Sequence, residues 1–201
     1  MCGNGARCVA FFAYRKGIAG RTQRIQTAAG IVEAEILETS QDRATVRIAI
    51  AKKPSPPIEK RIKVAAASLP PSEDEWTCHC LDTSVPHAVI FVDDVETIDV
   101  KKIGSALRHH EAFAPEGTNV NFVDKQLNVR TYERGVEDES GACGTGVIAT
   151  ALVLTQQKGL PEPWTQTFKT RMGETLTVSQ HNSRLTLTGS AVLVFKGTTQ
   201  I

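Results

Sequence analysis

Two cysteines sit in the same short design far apart in the chain: Cys2-Gly3-Asn4-Gly5 and Cys143-Gly144-Thr145-Gly146. Each run leads straight into an apolar stretch of helical character, Ala6 to Tyr14 after the first and Val147 to Leu154 after the second. The start of a helix exposes unpaired N–H groups and a partial positive charge. A thiol held there is expected to have its pKa lowered, with an anion site formed beside it. Two such thiols facing one another across a cleft could take a proton from one side of a carbon and return one from the other. A single cysteine beside glycine is most often a small buried hydrophobe. Core packing alone has no need of a second Cys-Gly-polar-Gly-helix, and the duplication is what points to catalysis.

The elements around these runs follow from periodicity and punctuation. Ala6 to Lys16 reads as a helix stopped by Gly17, and Thr145 to Lys158 as a second stopped by Gly159 and Pro161. Gly30 to Leu37 and Thr45 to Ala51 alternate as strands, with Ser40 to Arg43 turning between them. Lys52 to Pro57 is the most proline-dense stretch and the expected crossing between domains. Strands are expected at Arg61 to Ala67, Thr77 to Leu81, Ala88 to Val92, Asn119 to Val123 and Gln126 to Tyr132. Val100, Ile103 and Leu107 mark a short helix capped by Asp99, with His109 and His110 as its solvated end. Four strands close the chain: Thr165 to Thr170, Glu174 to Val178, Arg184 to Thr188 and Ala191 to Phe195. A Cys-headed helix among antiparallel strands thus occurs twice, which gives an α+β fold of two similar domains, the first unusually short.

Composition narrows the function. The 201 residues are 41% apolar with a net charge of +1, which gives no electrostatic case for nucleic acid or an anionic membrane. No apolar run approaches the ~20 residues that span a bilayer. Five cysteines, an odd number, and a start lacking the pattern of a secretory leader point to reduced thiols in a cytoplasmic setting. Cys78-His79-Cys80 puts neighbouring side chains on opposite faces of a strand, and no second pair at zinc-finger spacing joins it, so no metal is expected. Cys8, six residues past Cys2, points away from it and reads as structural. The absence of C-x-x-C sets a thiol redox protein well behind.

The residues also carry a resemblance. Met1 to Cys8, Pro86-His87, Gly117-Thr118-Asn119-Val120-Asn121-Phe122, Tyr132-Glu133-Arg134-Gly135 and Ala142 to Gly146 resemble, in order and spacing, the motifs of the diaminopimelate epimerases. The related proline racemases share the paired cysteines but usually have histidine where Asn4 stands. The resemblance implies two pseudo-symmetric domains, each a β-barrel-like sheet around a central helix, with the substrate in the cleft between them. On that analogy residues 1–50 form a partial N-terminal domain joined by a returning strand at 190–201, and residues 51–189 form the C-terminal domain. It implies a cofactor-independent isomerase interconverting L,L- and meso-diaminopimelate for lysine and peptidoglycan precursor synthesis, with a small-molecule substrate and room for a homodimer.

By the same resemblance Cys2 and Cys143 are the two catalytic groups, Cys143 being the base for the L,L substrate and Cys2 returning the proton. His87 and Glu133 tune their pKa values. Gly3, Asn4, Gly144 and Thr145 grip the α-carboxylate, while Asn119, Glu133 and Arg134 bind substrate, Asn119 and Arg134 at its far end. The forked guanidinium of Arg134 suits a carboxylate. Without the family match, His87 is equally well a strand-start histidine, Glu133 a surface carboxylate, Arg134 an exposed ion-pair partner and Asn119 a turn-flanking amide.

Departures from the pattern carry their own expectations. Family members have a substantial segment before the first Cys run, whereas this chain opens inside it. The first domain is therefore expected to be incomplete, leaving Phe11, Phe12 and Tyr14 with less to bury against. Val85 stands where many members have asparagine, Gly141 where an apolar residue is usual, and Ser190 where proline is common. Two alternatives accompany the epimerase reading: an inactive fragment or pseudoenzyme, and a racemase or epimerase of another amino acid.

Overall fold

A computed structural model of the protein describes residues 2–28, 30–50, 53–64 and 75–198. Met1, Lys52, the end of the strand expected at Arg61 to Ala67, and residues 199–201 of the expected returning strand lie outside the described residues. The chain runs α1 (Gly3–Arg15), β1 (Thr22–Thr27), β2 (Gly30–Thr39), β3 (Arg43–Ala49), β4 (Ile58–Lys63), β5 (Glu75–Asp82) and β6 (Pro86–Phe91). It continues with α2 (Val100–Arg108), β7 (Asn119–Val123), β8 (Asn128–Glu133), β9 (Asp138–Ser140), α3 (Gly144–Lys158), β10 (Trp164–Thr170), β11 (Thr175–His181) and β12 (Arg184–Val192). This is the α+β class expected, and no described helix is long and apolar enough to cross a membrane.

The strands join along one hydrogen-bonded path, β1-β2-β3-β12-β11-β10-β8-β7-β6-β5-β4, with β9 on the flank of β8. Two joints link runs of strands that are distant in sequence. β12 pairs antiparallel with β3 from Thr186↔Ala49 to Val192↔Arg43. β10 meets β8 in a short parallel contact at Lys169↔Asn128 and Thr170↔Val129. Pro54, Pro56 and Pro57 lie in the irregular segment that carries the chain from β3 to β4, at the far end of the strand order.

Alternation decides which faces are buried. Val32, Ala34 and Ile36 of β2 and Ala44, Val46 and Ile48 of β3 point inward, against Ala6, Ala10 and Phe11 of α1. The α1 residues that go in, Gly3, Ala6, Arg7, Ala10 and Phe11, fall on one helical stripe. Helix α3 is different: from Gly144 to Leu154 it is buried nearly all round, and only its polar last turn, Gln156 to Lys158, is exposed. Its Val147, Ile148, Ala151 and Leu154 join the α1 core, while Ala149 and Val153 pack on Leu81 and Val89 of β5 and β6. The opposite face of β4–β8 packs Ala88, Ile90, Val120, Phe122 and Tyr132 against Val100, Ile103 and Leu107 of α2.

Several expectations change. The two closing strands are one, because Gly189-Ser190 continues the ladder to β3 instead of breaking it. β1 and β9 were not anticipated, β9 being only three residues long and β1 mostly polar. Phe11 is buried, whereas Phe12 is 56% exposed together with Val9 and Cys8, so α1 is covered on one side only. Cys8 therefore has no place in the core. Cys78 and Cys80 both point into it, with burial and mutual repulsion pushing Cys78 up to about 12.

Leu187 of β12 is fully buried beneath the starts of both α1 and α3. Leu187→Ala should lower unfolding free energy by about 2–5 kcal/mol, the range for a buried leucine truncated to alanine. Denaturant titration should show a lower midpoint at unchanged slope.

Candidate active site

Each catalytic candidate is the N-cap of its helix. Cys2 has extended dihedrals, and its Sγ accepts the Gly5 N–H at 3.4 Å. Cys143 caps α3 in the same backbone conformation, with Sγ 3.4 Å from Thr145 Oγ1. Its sulfur makes no capping hydrogen bond of ordinary geometry, yet the Thr145 and Gly146 amides lie near enough to draw its pKa down.

The two helix starts abut. A Cβ built on Gly144 would lie 3.9 Å from Gly3 Cα and 3.0 Å from Leu187 Cδ2. One built on Gly3 would meet the same Leu187 methyl at 3.2 Å. Glycine at both positions lets the backbones close to this distance. Asn4 of α1 reaches across, its Nδ2 donating to the Ala142 carbonyl at 3.3 Å, while its Oδ1 is buried without a partner among the described residues. Cys2 and Cys143 thus stand at either side of one contact where two sets of unpaired N–H groups and two positive dipole ends converge.

A polar wall faces this contact, and sheet register builds it. Residues two apart on a strand share a face. Val89 of β6 packs on α3, so His87 lies on that face as well. Asn121 of β7 is opposite Thr131 of β8, and Asn119 and Glu133 are two residues away on the same side. His87, Asn119, Asn121 and Thr131 are all buried, with Glu133 partly so. Asn119 uses both ends of its amide: Nδ2 donates to Pro86 O at 3.1 Å, and Oδ1 accepts the Arg134 N–H at 2.8 Å. The Arg134 guanidinium donates to Glu116 O at 3.3 Å and pairs with the Glu116 carboxylate at 3.6 Å. Thr83, buried in the β5–β6 turn, donates to Thr145 O at 3.4 Å.

Electrostatics correct one expectation. The Cys143 thiol is raised, not lowered: burial dominates and the negative charge of Glu133 adds to it, against the Thr145 hydroxyl and the helix amides. Burial likewise pushes His87 down to about 3, with Asp82 opposing and Arg134 assisting, so its imidazole is neutral. The sequence names Cys2, Gly3, Asn4, His87, Asn119, Glu133, Arg134, Cys143, Gly144 and Thr145 as candidates, and the contacts above describe their surroundings. Sequence reasoning passed over Thr83, Leu187 and Asn121, of which only Asn121 left a signal, the alternation Asn119-Val120-Asn121. Two broad grooves, one beside His79, Phe91 and Gln157 and one over the outer faces of β2, β3 and β11, contain neither thiol.

Because Glu133 raises the Cys143 pKa, Glu133→Gln should lower it and increase the thiolate fraction at any given pH. Peptide mapping after iodoacetamide treatment should show the pH midpoint for Cys143 labelling moving down in this variant. Exposed Cys2 should label ahead of buried Cys143 in both proteins.

The profile of the family described as diaminopimelate epimerase matches residues 79–194. A diaminopimelate epimerase of Aquifex aeolicus is 43% identical over 98% of this chain and 68% of its own length. That of Chlorobaculum tepidum is 36% identical over 98% of this chain and 74% of its own. Among solved structures, a probable proline racemase from Agrobacterium radiobacter superposes with a TM-score of 0.66 at 16% identity, over 96% of this chain and 66% of that one. A PhzF-family phenazine biosynthesis protein from Bacillus anthracis gives 0.63 at 13% identity, covering 96% of this chain and 73% of that one. The chain spans about two thirds to three quarters of these proteins, and the last two likenesses bear on fold alone. With two Cys-capped helices meeting at their N-termini beside a His- and Glu-bearing sheet face, and with these relatives, the chain belongs to the diaminopimelate epimerase family.

Proposed function

We propose that Cys2 and Cys143 are the paired proton carriers of a cofactor-independent epimerase acting on diaminopimelate, interconverting its L,L and meso forms. The observation that carries this reading is the abutment of the two Cys-capped helix starts at Gly3 and Gly144. One sulfur, as thiolate, removes the α-proton; the electron pair passes toward the α-carboxylate as an enolate-like charge; the other sulfur, as thiol, delivers a proton to the opposite face. The products are the inverted α-carbon and a thiol–thiolate pair with roles exchanged, so nothing is oxidised or reduced.

Without an electron sink, the developing charge must be met by fixed dipoles. The N–H groups at the starts of α1 and α3 supply them, with Gly3, Asn4, Gly144 and Thr145 as the gripping residues. In the substrate-free protein, burial and the Glu133 charge favour the protonated form of Cys143. To act as base on the L,L isomer it must first lose that proton, and the Thr145 hydroxyl with the Thr145 and Gly146 amides stabilises the resulting thiolate. His87 and Glu133 set the balance between the two forms. Arg134, partly exposed and held at its backbone by Asn119, would exchange Glu116 for the distal carboxylate of the substrate. We place this chemistry between two lobes in a cytoplasmic enzyme, with the division at 1–50 and 51–189 and the end of β12, through Val192, returning to the first.

The test is wash-in of deuterium at Cα of L,L-diaminopimelate in D2O, followed by NMR. Cys2→Ala and Cys143→Ala should each reduce interconversion by at least about 10²-fold, the scale of a lost general acid–base. Near-normal turnover in either variant would rule out the two-thiol scheme. A panel of other amino acids in the same assay separates diaminopimelate from substrates that Val85, in place of asparagine, would favour.

A further inference from the structure

Asn121 is fully buried and every polar atom of its side chain is engaged. Its Nδ2 donates to the Ala88 carbonyl at 3.0 Å and lies 3.1 Å from His87 Nδ1. Its Oδ1 accepts the Thr131 hydroxyl at 3.0 Å. Oδ1 also fills the space against Gly146 in the first turn of α3, where any Cβ would overlap it. These contacts leave no freedom in the proton positions. A backbone carbonyl can only accept, so the nitrogen end of the amide must face Ala88. The second proton on that nitrogen then points at His87 Nδ1, which must accept it. Neutral His87 therefore carries its own proton on Nε2, and that buried N–H has no other partner among the described residues.

We propose that Asn121 is a positioning residue for this site: it fixes His87 as the Nε2–H tautomer and seats the first turn of the helix that bears Cys143. The two tasks are joined in one amide, since a single rigid group touches the imidazole at one end and the Gly146 backbone at the other. Thr131 supports it by holding the oxygen end. His87 thus presents a hydrogen-bond donor, not an acceptor, at its free nitrogen. Burial keeps the ring neutral in the working range, with Asp82 and Arg134 as the charged groups acting on it. A neutral donor can stabilise a thiolate or a carboxylate without itself taking up a proton. The part of this role that concerns turnover rests on the epimerase reading above.

The tautomer is read directly by nitrogen-15 NMR of histidine-labelled protein without substrate, the His87 signals being those lost in His87→Gln. The wild type should show a protonated Nε2 and an unprotonated Nδ1. In Asn121→Asp a carboxylate replaces the donor, so Nδ1 should become protonated. Thr131→Val leaves the Ala88 contact in place and should keep the wild-type tautomer. In the exchange assay Asn121→Asp should lose kcat on the order of tenfold or more with KM little changed, as when an imidazole is held in the wrong tautomer. A protonated Nδ1 in the wild type overturns the proposal by itself, whether or not the aspartate variant folds. So does an unaltered kcat in a folded Asn121→Asp protein whose tautomer has switched. Because the tautomer is measured without substrate, lack of epimerase activity counts against the reaction and leaves the tautomer assignment standing.

Discussion

The structure depends on bringing two helix N-termini into contact, an arrangement that backbone electrostatics disfavour. Each end carries a partial positive charge and unpaired N–H donors, and pressing two such ends together concentrates both. Packing makes it possible: Gly3 and Gly144 remove the side chains that would keep the backbones apart, Leu187 supplies a common apolar floor, and Asn4 ties one helix to the residue before the other. What the arrangement gains is affinity for negative charge at one point. A thiolate, a carboxylate or an enolate-like transition state placed there relieves the repulsion that the fold has built in.

The same contact bears on the opposed demands that the proposed reaction makes on the two sulfurs. A pair that passes a proton back and forth works only when one member is charged and the other neutral. Cys143 is buried at the head of a helix whose first three turns are enclosed, and desolvation outweighs its helix amides. Cys2 heads a helix with one open face and is exposed. The asymmetry in coverage of α1 and α3 thus becomes an asymmetry in the environments of the two thiols, with Glu133 adding to it on the Cys143 side.

How much of this was legible in the sequence follows from the range over which each feature is determined. The Cys-Gly-polar-Gly starts are local, and helix capping by Cys2 and Cys143 occurs where the residues place it. The strand pairs Asn119–Val123 and Asn128–Glu133 follow from alternation, which also puts Asn119, Asn121, Thr131 and Glu133 on one face once the register is known. The direction of the Cys143 shift was not legible, because burial depends on strands that close over α3 from distant parts of the chain. Nor was Leu187 distinguishable from any other strand leucine, since its meaning lies in the two glycines above it. Gly189-Ser190 looked like a break because glycine usually weakens a strand. Here a Cβ at 189 would come within 2.9 Å of the Arg7 guanidinium carbon, so the glycine lets a side chain approach while the ladder continues.

That approach makes sense of the departures at Gly141 and Ser190. Arg7, in the first Cys run, is 2% exposed and pairs through Nη2 with Glu174 at 2.7 Å, while its Nε donates to Ser190 O at 3.2 Å. Ser190 Oγ lies 3.5 Å from the same Glu174 oxygen, a second donor that proline could not provide. Glu174 ends the turn after β10, and Met172 in that turn donates its N–H to Gly141 O at 3.2 Å with its side chain over the glycine Cα. A side chain at 141 would require the exposed Met172 side chain to move aside. The first helix is therefore connected through Arg7, Glu174 and the 170–174 turn to the segment that delivers Cys143. A buried ion pair of this kind adds little net stability, because desolvation offsets its attraction, but it penalises every arrangement in which the partners separate. On the two-thiol reading proposed above, which needs the sulfurs on opposite faces of one carbon, that penalty falls on the coordinate that matters, the relative placement of the two helix starts.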